Sequence, residues 1–137
     1  MKIQPVAPQY IHSVWPSIEG FMGDAVNMSV GVPTYTLDIL RDRLASGLWD
    51  LYVAVADDNT IKAALVVNTY MAANHSIAHV VAFGGRNVCS AENNAKLMGL
   101  LKLKGCTLVR ASGRPSVMRL LRKFQFGNPY ISVEAVL

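Results

Sequence analysis

Hydrophobic spacing divides the chain into alternating helical and extended segments. Ile3 and Val6 mark a short first strand ending before Pro8. Ile11, Val14, Trp15, Ile18, Phe21 and Met22 then recur at three- and four-residue intervals, the signature of one buried helix face. Pro8 suits the first turn of that helix, whereas Pro16 removes an interior donor and predicts a kink or split. Residues 27–33 read as a loop. Thr36 caps a second helix carrying Leu37, Leu40 and Leu44 and ended by Gly47. Asp38 near its start and Arg41 and Arg43 near its end agree with the helix dipole.

The period then falls to two. Leu51, Val53 and Val55 alternate along a strand, and Asp57-Asp58-Asn59 turns the chain into a second β-rich run, Ile61–Tyr70. A further turn at Ala72-Ala73-Asn74 leads to Ser76–Phe83, which predicts an antiparallel meander. Helical composition returns over Ala91–Lys104, Gly105 ends it, and Cys106–Arg110 reads as a short strand. After a turn at Ser112–Pro115, Val117, Met118, Leu120, Leu121 and Phe124 form a last amphipathic helix, broken at Gly127-Asn128-Pro129. Tyr130–Leu137 reads as a closing strand. The order β-α-α-β-β-β-α-β-α-β predicts a single α/β (α+β) domain: a mixed, mainly antiparallel sheet with helices on both faces.

Composition narrows the class. The chain has 137 residues, 52% hydrophobic and 16% charged, and fits one globular domain with a proper core. Its apolar runs are too short to span a bilayer, and its first residues lack the apolar stretch of a secretory signal. An intracellular protein with reduced Cys89 and Cys106 is expected. His12, His75 and His79 have no metal-ligand spacing, so no metal is expected. Net charge is +4, but residues 1–68 carry four basic and seven acidic groups, and residues 69–137 carry nine basic and two acidic. A basic second half suits a phosphate-bearing ligand, nucleic acid or an acidic partner, or is simply a solvated face.

The segment from His79 to Glu92 unites a strand, two glycines and a helix start, a combination that can receive an anion on unpaired amides. An ordinary strand-to-helix connection has the same pattern. Ser90 is a helix cap or a ligand contact. His79 shares a strand face with Ile77, Val81 and Phe83 by alternation, as a core histidine or as a general base. Glu134 and Tyr130 are further candidates for the base, or surface groups.

The element order, with Arg86-Asn87-Val88-Cys89-Ser90-Ala91 following the third meander strand, resembles the GNAT superfamily of N-acyltransferases. Their pattern at this place is Q/R-x-x-G-x-G/A. Arg86 and Ala91 match it, and Cys89 stands where its first glycine belongs. The resemblance implies acetyl-CoA as cofactor and an amine as acyl acceptor. It also implies that Val81, Ala82, Phe83 and Gly84 line the pantetheine, and that Arg86, Val88, Cys89, Ser90 and Ala91 surround the pyrophosphate, with Gly85 in the turn between. The family's Leu-Tyr-x-Lys-x-Gly-Phe segment, whose tyrosine is the general acid, falls on Leu120-Leu121-Arg122-Lys123-Phe124-Gln125-Phe126. Leu121 replaces the tyrosine and Gln125 the glycine.

Val14-Trp15-Pro16, Phe83-Gly84-Gly85, Gly105-Cys106, Gly113-Arg114-Pro115 and Arg119-Leu120-Leu121-Arg122 are similar to the small GNAT-like proteins of tailed bacteriophages. That resemblance implies a place in the host cytoplasm or the virion. Two functions stand open: an acetyl-CoA-dependent N-acyltransferase, or a non-enzymatic virion or accessory protein using the fold as an interaction module. About eleven residues after the last helix leave the sheet unfinished, which suggests a homo-oligomer or a phage partner protein at its edge. Nucleic acid is a third partner, without a reader motif to support it.

Overall fold

The structure, a computed structural model, describes residues 1–86 and 88–137. Five strands run β1 (Lys2–Val6), β2 (Asp50–Val55), β3 (Ile61–Met71), β4 (Ser76–Gly85) and β5 (Leu108–Arg110), in that spatial order. The first four pair antiparallel, confirming the meander, and β5 joins β4 in parallel. Helices α1 (Ile11–Asn27) and α2 (Leu37–Ala45) cover one face, α3 (Ala91–Leu103) the other, and α4 (Pro115–Arg122) follows β5. The architecture is the expected mixed, mainly antiparallel sheet between helices.

Alternation along the strands splits the core in two. Leu51, Val53, Ala64 and Val66 meet Ile11, Trp15, Ile18 and Met22 of α1 and Leu40 and Leu44 of α2. Tyr52, Leu65, Val67 and Ala78 face Leu101 of α3 and Cys106. Burying one large aliphatic side chain is worth about 1.5–3 kcal/mol, so the α1 stripe anchors its helix firmly. That explains why Pro16 does not split α1. The helix continues to Asn27 because the side chains before and after the proline dock on the same sheet face. Pro8 instead starts a separate 3₁₀ turn, Pro8–Tyr10.

Three further expectations are corrected. Tyr130–Leu137 forms no strand: among the described residues it pairs with nothing in the sheet, and Ile131 and Val133 are each 92% exposed. Gly84 and Gly85 are not a turn but the last residues of β4. A β-carbon on Gly84 would stand 2.3 Å from the Phe21 carbonyl oxygen, and one on Gly85 would stand 2.4 Å from the Ala63 β-carbon. These glycines let α1 and β3 approach the strand, a packing requirement.

The two halves of β4 also present their side chains differently from simple alternation. The β3–β4 register passes from Val67↔Val80 directly to Val66↔Ala82, leaving Val81 as a bulge. One extra residue reverses the alternation. Ala78 and Val80 therefore pack toward α3, while Ala82 packs toward α1. Phe83 thus lies on the face opposite His79, not beside it.

Gln125 sits in the left-handed region at φ 70°, where the GNAT segment has glycine, and the Phe126 N–H donates to the Leu121 carbonyl at 3.3 Å. This backbone position favours glycine. A non-glycine residue pays about 1–2 kcal/mol there, partly offset by glycine's greater entropy loss. Gln125→Gly is expected to raise stability by about 0.5–1 kcal/mol, measurable by denaturant titration.

Candidate functional site: a cleft where two strands part

Parallel pairing of β4 with β5 covers only Ile77↔Leu108, Ala78↔Val109 and His79↔Arg110. Beyond His79, β4 continues to Gly85, while the other chain segment turns away through Ala111 to Arg114 into α4. The strands part like a V, and a cavity of about 1100 Å³ runs through the opening. Because the sheet is open there, the cavity reaches both faces.

On the α3 side it is lined by Val88, Cys89, Ser90, Asn93, Asn94 and Leu97, with Val117, Leu120 and Leu121 of α4 opposite. No residue of α4 is buried, although the helix is strongly amphipathic. Its apolar side faces the cleft instead of a core. At the start of α3, Ser90 Oγ accepts the Asn93 N–H at 3.1 Å, and Asn93 Nδ2 donates to the Val88 carbonyl at 2.7 Å. Ser90 is therefore the helix cap. The N–H groups of Ala91 and Glu92 have no partner within the helix and carry its positive dipole end.

Cys89 has no positive φ, so cysteine in the glycine place causes no backbone strain. Partial desolvation of the otherwise exposed side chain pushes its thiol above the ordinary range, against a role as nucleophile. Asn87, inside the expected cradle pattern, lies outside the described residues.

On the α1–α2 side the lining includes Asn68, His79, the connection 28–35, and Ser132, Val133 and Glu134 from the C-terminal segment. His79 is half-buried beside Asn68, its partner across β3–β4. Burial first, and the Arg110 guanidinium second, hold its imidazole below the usual 6.5. It is neutral at pH 7, as a proton acceptor must be. Arg110 itself donates to Tyr70 Oη at 3.4 Å and stacks on the Tyr130 ring at 5.7 Å. Glu134 accepts the Val32 N–H at 2.6 Å.

His79, Val81, Ala82, Phe83, Gly84, Gly85, Val88, Cys89 and Ser90 thus line a single cleft. Ala91, the first residue of α3, is not among the residues that line it. Arg86 points elsewhere: it is exposed and lines a smaller depression with Met1, Phe21, Ile61 and Lys62. Leu121, which the resemblance sets in place of a tyrosine, lines the cleft without a hydroxyl. Sequence reasoning missed Asn68, Tyr35 and the Val81 bulge. Asn68 could have been found as the polar break in the apolar run of β3, whereas the other two have no local signature. Among the described residues no group of three or more His, Cys, Asp or Glu side chains could hold a metal, and no helix is long and apolar enough to cross a membrane.

No protein-family model and no curated protein sequence matches this chain. Solved structures do. A probable acetyltransferase superposes over 100% of this chain and 97% of its own, with a TM-score of 0.71 at 11% identity. An aminoglycoside acetyltransferase from an uncultured soil metagenomic sample, in complex with sisomicin, covers 99% and 95%, with a TM-score of 0.71 at 13% identity. A Trypanosoma brucei acetyltransferase covers 99% of both chains, with a TM-score of 0.66 at 12% identity. The fold is the GNAT-like fold of these acetyltransferases, shared from end to end.

Proposed function

We propose that the protein is an N-acyltransferase that uses acetyl-CoA and a primary amine. The observation that carries this reading is the cleft itself. One opening through the sheet joins a helix N-terminus on one face to a neutral histidine on the other. The residues fit the cofactor: an apolar channel along Val81–Phe83 and α4 suits a pantetheine arm, and the start of α3 suits a pyrophosphate. Bound there, acetyl-CoA would supply an acyl thioester between β4 and β5.

Each remaining role belongs to the chain. His79 takes the proton from the acceptor nitrogen at an imidazole nitrogen, and burial, with the Arg110 charge second, keeps that nitrogen free until then. The connection 28–35 and Glu134 form the acceptor's wall. Leu121 gives no proton to the departing sulfur, so that proton comes from water. A thiol of pKa about 8.5 departs tolerably as thiolate, so the missing hydroxyl lowers the rate without abolishing the reaction. The reading is tested by following free thiol released from acetyl-CoA in the presence of amines, sisomicin and spermidine among them; acceptor-dependent release supports it.

The exposed apolar tail favours a second reading. Ile131, Val133, Val136 and Leu137 stand almost fully exposed. They suit a module docked on a second copy or on a virion protein, in keeping with the resemblance to phage proteins. This reading predicts no thiol release with any amine, and a species larger than the monomer in sedimentation.

A further inference from the structure

We propose that Tyr35 is a positioning residue that holds the β4 bulge in shape and ties the acceptor wall to the acyl-binding strand. The inference rests on the acyltransferase reading for its function, though not for its geometry. A bulged residue leaves the ladder, and its carbonyl needs another partner. Val81 is that residue, and the Tyr35 hydroxyl donates to its carbonyl at 2.9 Å, across 46 positions of sequence.

The donor is well held. Trp49 meets the Tyr35 ring edge-on, with centroids 5.7 Å apart and planes at 86°. The ring also packs against the core under α1 and α2. Burial raises the phenol's pKa, so it keeps its proton throughout the working range.

Tyr35 also ends the irregular connection between α1 and α2, one residue before the Thr36 cap. That connection walls the α1–α2 side of the cleft. A second long-range tie is the bond from Val32 N–H to Glu134. A displacement of this wall on acceptor binding must therefore pull on the carbonyl of Val81, two residues from His79. The wall and the bulge act as one unit.

Tyr35→Phe keeps the ring and its packing and removes only the donor. Loss of one hydrogen bond of about 1.4 kcal/mol is a factor of ten, so amide exchange at Val80–Ala82 should quicken about ten-fold. Exchange in β2 and the first half of β3 should stay unchanged. In turnover, kcat should fall about ten-fold while KM for acetyl-CoA moves less than about two-fold, the pattern of misaligned chemistry and not of lost cofactor binding. Exchange at the bulge unchanged from wild type, or raised equally over the whole sheet, would overturn the proposal. If the wild-type protein transfers no acetyl group, the acyltransferase reading fails, while the exchange measurement still decides whether Tyr35 holds the bulge.

Discussion

Gly84→Ala is expected to cost about 3 kcal/mol of stability and to lower Tm by about 10 °C. The added methyl would stand 2.3 Å from the Phe21 oxygen and 2.8 Å from its carbonyl carbon. Both are backbone atoms of a helix pinned by Trp15, Ile18 and Met22 on the same sheet, so neither can yield without lifting α1. A contrasting substitution isolates the cause. Gly99 lies inside α3, where an added β-carbon would meet nothing within 4 Å. Alanine there should add about 0.5–1 kcal/mol. Opposite signs for the same chemical change, read by thermal unfolding, identify contact and not glycine's intrinsic flexibility. Equal small effects at both positions would mean that α1 does not press on β4.

Replacing His79 by glutamine should lower kcat/KM at least about 100-fold while leaving acetyl-CoA affinity near wild type. Glutamine keeps a polar side chain beside Asn68 but cannot take a proton at neutral pH. The pH profile carries the same assignment. Because the folded-state pKa lies below 6.5, the basic form persists into mildly acidic solution, and the acidic limb of kcat/KM should fall below pH 6.5. Stability follows the same sign. Between the folded pKa and 6.5 the unfolded chain holds the extra proton, so the stability present above pH 6.5 declines as pH falls through that window. His79→Gln should remove both dependences. An acidic limb unchanged in position would assign it to another group.

The sequence is most legible where periodicity is strong. Apolar spacing in α1, alternation in β2 and the β-rich run of β3 identify elements that the structure contains, because burial in a sheet core demands those patterns. Capping by Thr36 and Ser90 is legible for the same local reason: each side chain accepts the N–H three residues on. What escapes the sequence is non-local. The bulge at Val81 depends on register against β3 and on a phenol 46 positions away, and no window around β4 contains either. Consequently alternation puts Phe83 on the wrong face relative to His79 although the strand itself is correct. Gly84 and Gly85 have the composition of a turn, but their cause is the approach of α1 and Ala63. Residues 130–137 have strand-like composition without a pairing partner, and propensity alone does not make a strand. At Gln125 the converse holds: composition hides a left-handed position that only the backbone reveals.

The cleft's existence follows from geometry, and its use by a nucleotide-linked acyl carrier is the claim on which the functional account depends. Titration calorimetry of the wild-type protein with acetyl-CoA tests it most directly, paired with Cys89→Glu. Cys89 is exposed, so a carboxylate there spares the fold while placing negative charge at the start of α3. Arg86→Glu, in its separate depression, should weaken binding less. One saturable site is expected in the wild type, weakened about ten-fold or more by Cys89→Glu, the effect of a like charge worth about 1.4 kcal/mol or more. Absence of binding at millimolar acetyl-CoA, or equal binding by the Cys89→Glu protein, would contradict it.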